Sequence, residues 1–191
     1  GRQPERDLLA ARLRTLVTQG RGGTVVLQGE AGIGKTMLVR DVLRQALERG
    51  IQPLVGSGDA IDAATAYHAW RPIFERVLGL RGITEPTALA ERIRQACGGN
   101  PKVQALGPLM NAVLPAPLPE NELSLRLSSP SRAASTRELL LTVLREASEL
   151  VQLIVIDDAH WMDSAAWGLL LAVQRELPHV LLLVSTRDVS A

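Results

Sequence analysis

The stretch Thr24-Val25-Val26-Leu27-Gln28-Gly29-Glu30-Ala31-Gly32-Ile33-Gly34-Lys35-Thr36-Met37-Leu38-Val39 decides how the rest of the chain is read. Residues 24–28 form a short β-branched and aliphatic run bounded by glycines, which predicts a strand. From Lys35 onward the apolar positions Leu38, Val39, Val42, Leu43, Ala46 and Leu47 recur on one helical face as far as Gly50, which predicts a helix. Between them, residues 29–36 match G-x-x-x-x-G-K-[ST], and a strand before and a helix after are the context that this phosphate-cradling pattern needs. The glycines permit a tight turn in which successive backbone N–H groups wrap phosphate oxygens, and the helix N-terminus adds its partial positive charge. Lys35 is placed to reach the β and γ phosphates, and the Thr36 hydroxyl to ligate Mg²⁺. The expected nucleotide-binding set is thus Gly29, Glu30, Ala31, Gly32, Ile33, Gly34, Lys35, Thr36 and the next residue, Met37. Lysine is scarce, Lys35 and Lys102 being the only two in the chain.

Working outward, residues 4–19 carry Leu9, Leu13, Leu16 and Val17 at helical spacing, with Pro4 in the first turn and Gly20 at the end. A second strand is expected at residues 53–56. The passage 58–135 reads as a helical insertion, with helical stretches at 69–80 and 87–96, a Pro-rich segment at 115–119 and a polar segment at 128–135, the last two expected as mobile loops. Helical periodicity returns over residues 136–150, followed by a nearly unbroken apolar strand at 151–156. Asp163 is expected to cap a helix running to Leu177, and residues 180–184 to form another buried strand. Apolar strands alternating with helices imply an α/β fold: a parallel sheet between two helical layers, a three-layer αβα P-loop NTPase core spanning residues 1–191.

In such a sheet, ligands bind beyond the carboxyl ends of the strands, so acids ending a central strand face the glycine loop. Leu153-Ile154-Val155-Ile156 is followed by Asp157 and Asp158. Asp157 is expected to hold Mg²⁺ through water, and Asp158 to orient or polarise the attacking water. Arg187, just past the last apolar run, is a candidate for sensing the γ phosphate. The expected catalytic set is Lys35, Asp157, Asp158 and Arg187, with Thr36 and Asp157 as metal ligands. For His160 and Trp161 the expectation is packing or capping beside the site, and for His68 and Trp70 a place in the core.

The bulk composition narrows the classes. Hydrophobic residues make up 46% of the 191 and charged residues 21%, enough apolar material for one domain without metal or disulfide staples. The net charge is +1 with acids interspersed among the arginines, so no basic block marks a nucleic-acid or anionic-membrane surface. Cys97 is the sole cysteine, expected to be an inert thiol in a reducing compartment. No apolar run approaches a membrane span, and the opening residues lack a signal-peptide core. The expectation is a cytoplasmic protein, and a piece of a longer polypeptide.

Taken together, Arg2 and Glu5 ahead of the first helix, the 29–36 loop, Asp157-Asp158-Ala159-His160-Trp161-Met162-Asp163 and Ser185-Thr186-Arg187 resemble the STAND class of AAA-type signalling ATPases. Members occur in bacterial regulators coupled to LuxR-type output, cyclase or tetratricopeptide modules. The resemblance implies strand order 5-1-4-3-2, with the fifth strand and a helical lid beyond this sequence. It also implies Mg²⁺ with ATP or ADP, Arg2 near the adenine or ribose, self-association in the ATP state, and output domains elsewhere in the polypeptide. Two other readings stay open: a non-hydrolysing nucleotide-binding interaction platform, and a small-molecule kinase. No Asn-Lys-x-Asp motif of a GTPase and no Leu-Ser-Gly-Gly signature of an ABC-type ATPase is present.

Overall fold

In the computed structural model, residues 2–96, 99–147, 149 and 152–187 are described. Helix α1 (Gln3–Gln19) carries Pro4 in its first turn and closes at Gly20, whose N–H reaches the Leu16 carbonyl at 3.0 Å. Strand β1 (Gly23–Gln28), helix α2 (Lys35–Glu48) and strand β2 (Leu54–Ser57) follow. A 3-10 turn (His68–Trp70) then leads through α3 (Arg71–Val77), α4 (Pro86–Ala96), α5 (Pro101–Ala105), a second 3-10 turn (Gly107–Ala112) and α6 (Glu122–Leu125) into α7 (Ser129–Glu146). Strand β3 (Leu153–Asp157), a 3-10 turn (Ala159–Trp161), α8 (Ser164–Glu176) and β4 (Leu181–Thr186) complete the described chain.

The four strands are all parallel, in the order β1-β4-β3-β2. That is the 1-4-3-2 part of the expected order. Side chains alternate across a strand, and here the alternation splits the core in two. Leu153 and Val155 of β3 and Leu181 and Leu183 of β4 join Leu27 in a cluster with Leu9, Leu13 and Leu16 of α1 and Leu38, Val39, Val42 and Ala46 of α2. Ile154, Ile156, Leu182 and Val184 face the other way, into a larger cluster with α3, α7 and α8. Every residue from Leu153 to Ile156 is fully buried. Each such side chain contributes about 1.5–3 kcal/mol by leaving water, and both sheet faces are covered, hence the unbroken apolar run.

Four differences from the sequence expectations have physical causes. The polar segment 128–135 is not a mobile loop but the first turns of α7, because the Ser128 hydroxyl caps the helix by accepting from the Ser131 N–H and Pro130 fits the first turn. Strand β1 is buried only at Leu27, with Val26 55% exposed, because it lies at one end of the described sheet. Strands β2, β3 and β4 each run one or two residues further toward their carboxyl ends than the apolar runs suggested, since backbone pairing continues past the last aliphatic side chain to Ser57, Asp157 and Thr186. Trp70 is wholly buried, but His68 is only partly so, beside Asp62. Cys97 and Val151 lie outside the described residues.

Candidate functional site

Because β4 and then β3 are the strands next to β1, their carboxyl ends come up beside the loop that leaves β1. The loop needs glycine at two left-handed positions, Gly32 (φ 77°) and Gly34 (φ 94°), which β-carbon-bearing residues resist. Gly34 is also the N-cap of α2 and brings no side chain to cap its first turn, so the orphan N–H groups there are left for another acceptor. Lys35, only 8% exposed, folds back over its own loop: its Nζ donates to the carbonyls of Gly29 at 2.7 Å and Glu30 at 2.8 Å. Ile33 packs its methyl groups against Gly29. Arg2, at the N-cap of α1, lies beside Gly34 and pairs with Glu5 at 3.6 Å.

The opposite side is assembled from two strands. Asp157 continues the side-chain alternation of Leu153 and Val155, on the face that carries α2. Its Oδ1 accepts from the hydroxyl of Ser185, a fully buried residue of β4. Asp158 then breaks the strand in the left-handed region, at φ 48°, a conformation that aspartate tolerates better than most residues. Its N–H reaches both Ser185 Oγ and Asp157 Oδ1 at 3.1 Å, which ties the turn to both strand ends. The reversal sets up the Ala159–Trp161 turn, with the Trp161 N–H on the Asp158 carbonyl at 3.0 Å. Asp163 ends the segment as the N-cap of α8, its Oδ2 accepting from the N–H groups of Ala165 and Ala166 while Oδ1 accepts from that of Tyr67.

Ala31, Gly32, Gly34, Lys35, Thr36, Met37, Asp158 and Arg187 wall a cleft of about 370 Å³. That volume lies in the usual range of small-molecule sites. The structure thus brings Lys35, Thr36, Asp158 and Arg187 to one place. Asp157 is not among the lining residues and is held by Ser185, while Gly29 and Glu30 hold Lys35 through their carbonyls. Reading the sequence gave no role to Ser185, because its partnership with Asp157 depends on β3 and β4 being neighbours.

His160 and Trp161 were expected to pack or cap. His160 packs against Trp161, ring centroids 5.0 Å apart, and its Nδ1 is 3.9 Å from the Asp158 carboxylate. Both ring nitrogens are buried without a hydrogen-bond partner. Burial lowers the imidazole pKa below its usual value, reinforced by Arg187 and Lys35 and opposed by Asp158.

A family model described as the AAA ATPase domain matches residues 1–184. The chain belongs to that family. No curated protein matches it. As an AAA ATPase domain it is of a nucleotide-binding kind, whose members in general use ATP with Mg²⁺. The residues of the AAA domain suit that ion. Thr36, Asp157 and Asp158 offer one hydroxyl and two carboxylates, all oxygen donors, and among the described residues no cluster of three or more His, Cys, Asp or Glu forms an all-protein metal cage. Mg²⁺ is a cation that takes one or two protein oxygens and fills its octahedron with water and phosphate. None of the described helices is long and apolar enough to cross a membrane.

Proposed function

We propose that this domain binds ATP with Mg²⁺ in the cleft, hydrolyses it slowly, and works as the nucleotide-controlled switch of a larger signalling protein. The observation that supports this reading most is the meeting of the loop residues 31–37 with Asp158 and Arg187 in one cleft at the carboxyl edge of the parallel sheet. The first-turn N–H groups of α2 and the backbone of residues 29–34 receive the phosphates. Lys35 exchanges its two loop carbonyls for β and γ phosphate oxygens, a stronger, charge-assisted pairing. Thr36 and Asp157 would hold Mg²⁺, which supplies charge neutralisation across the β and γ phosphates. Met37 lines the nucleotide's approach, and Arg2 lies on the adenine or ribose side.

In hydrolysis a water oxygen forms a bond to the γ phosphorus while the bond from that phosphorus to the β–γ bridging oxygen breaks. Asp158 accepts a hydrogen bond from that water and orients it in line, its carboxylate being half exposed at the cleft wall. Arg187 faces the charge that grows on the γ-phosphoryl oxygens. We place the domain in the STAND class and in the cytoplasm: ATP favours self-association, ADP the closed form, and output domains in the same polypeptide read the difference. Turnover measured on the protein and on Asp158→Asn tests the enzymatic half. Hydrolysis that disappears in the variant, with ATP binding kept, is expected. Binding without any hydrolysis by the unaltered protein would leave a passive interaction platform.

A further inference from the structure

Trp161 is a large ring left 36% exposed on a turn that could have ended in any polar residue. Two features place it. The left-handed Asp158 reverses the chain after β3, and Gly58 lets the turn sit directly on the end of β2: a β-carbon there would lie 2.5 Å from the Asp158 carbonyl oxygen and 3.0 Å from Trp161 Cβ. The indole so placed lies under Arg187, with the guanidinium carbon 5.9 Å from the ring centroid. Among the described residues, no carboxylate is within ion-pair distance of Arg187, and the residue as a whole is exposed. An arginine in that situation is spread over many rotamers, and ordering it against a ligand costs that conformational freedom. A guanidinium held over an indole loses much of that freedom in advance through cation–π attraction.

We propose that Trp161 is a positioning residue for Arg187: its ring holds the guanidinium at the rim of the cleft, aimed at the terminal phosphate of ATP. The inference rests on the reading that Arg187 meets that phosphate. Its consequence is selectivity, since ADP lacks the group that Arg187 is held to meet, and the Trp161 platform therefore favours ATP over ADP without touching either. His160 packs on the same indole, with ring centroids 5.0 Å apart.

The test is the ratio of ADP to ATP dissociation constants, by calorimetry with Mg²⁺, for the protein, Trp161→Ala, Trp161→Phe, Arg187→Ala and the Trp161→Ala/Arg187→Ala double variant. Loss of the cation–π contact in Trp161→Ala is expected to weaken ATP about three- to ten-fold while leaving ADP unchanged. Trp161→Phe should recover most of the preference, and the double variant should be no worse than Arg187→Ala alone. If Arg187→Ala erases the preference but Trp161→Ala keeps it, the positioning role is overturned and the Arg187 reading stands. If Arg187→Ala keeps the preference, the Arg187 reading itself fails and this inference with it. A readout that does not depend on Trp161→Ala is fluorine NMR of 5-fluorotryptophan-labelled protein, with the Trp161 line assigned through Trp161→Phe. That line should move more on ATP than on ADP, and equally for both in Arg187→Ala; equal movement in the unaltered protein would also overturn the proposal.

Discussion

On the loop side of the cleft, Lys35 is held by carbonyls five and six residues away, whereas on the strand side Asp157 is held by Ser185, 28 residues on and in another strand. The loop side is therefore complete within one strand–turn–helix unit. The strand side exists only once β3 and β4 have paired and Asp158 has turned the chain. From this difference we expect damage to the loop to weaken nucleotide binding with little effect on the fold, and damage to the strand side to act on stability and turnover together.

The largest expected effects are on the loop, in Gly34→Val and in Lys35→Ala. Gly34→Val forces a branched side chain onto φ 94°, at a strain of about 1–3 kcal/mol that the exposed loop relieves by rearranging. ATP affinity measured by titration should fall about 10- to 100-fold, with the melting curve nearly unmoved; a large loss of stability would break the contrast. On the strand side, Ser185→Ala removes a buried hydroxyl that serves both the Asp157 carboxylate and the Asp158 N–H. The Asp158 N–H keeps its bond to Asp157 Oδ1, so what is lost is a hydrogen bond to a charged carboxylate, about 1.5–3 kcal/mol; denaturant unfolding should shift by up to that amount and turnover should fall more than ATP binding. Asp163→Ala, one helix further from the cleft, should cost about 1 kcal/mol or somewhat more by uncapping α8 and freeing the Tyr67 N–H, without changing nucleotide affinity.

The smallest effect is one of pH. His160 has a lowered pKa in the fold, so the unfolded chain binds its proton more readily than the native one. The stability owed to neutral His160 is whole above about pH 6.5 and is lost as pH falls below it through the native value. Thermal melts between about pH 7.5 and 5 should show this slope. His160→Gln should flatten it; an unchanged slope would show that the acid loss lies elsewhere.

The same contrast governs how much could be read from the sequence. The loop and its flanking strand and helix were legible because every part lies within residues 23–48 and depends on glycine, apolar spacing and one lysine. The parallel sheet was legible because fully buried strands leave unbroken runs such as residues 153–156. The start of α7 was missed because its first turns are polar and exposed, so that only the Ser128 cap and Pro130 mark it. The Ser185 link to Asp157 and the Arg187 cation–π contact with Trp161 leave no local pattern at all: one needs the strand order, the other the backbone reversal at Asp158.

The central claim, an ATP site built on the loop, is tested most directly by titrating a fluorescent ATP analogue with Mg²⁺ into the protein and into Lys35→Ala, with unlabelled ATP and GTP as competitors. On the proposed reading Lys35 trades its two loop carbonyls for phosphate oxygens, so the variant should bind at least about 100-fold more weakly while melting as the unaltered protein does. Displacement by ATP and not by GTP is expected alongside. Equal binding by the two proteins, or no binding by a folded unaltered protein, would contradict the account.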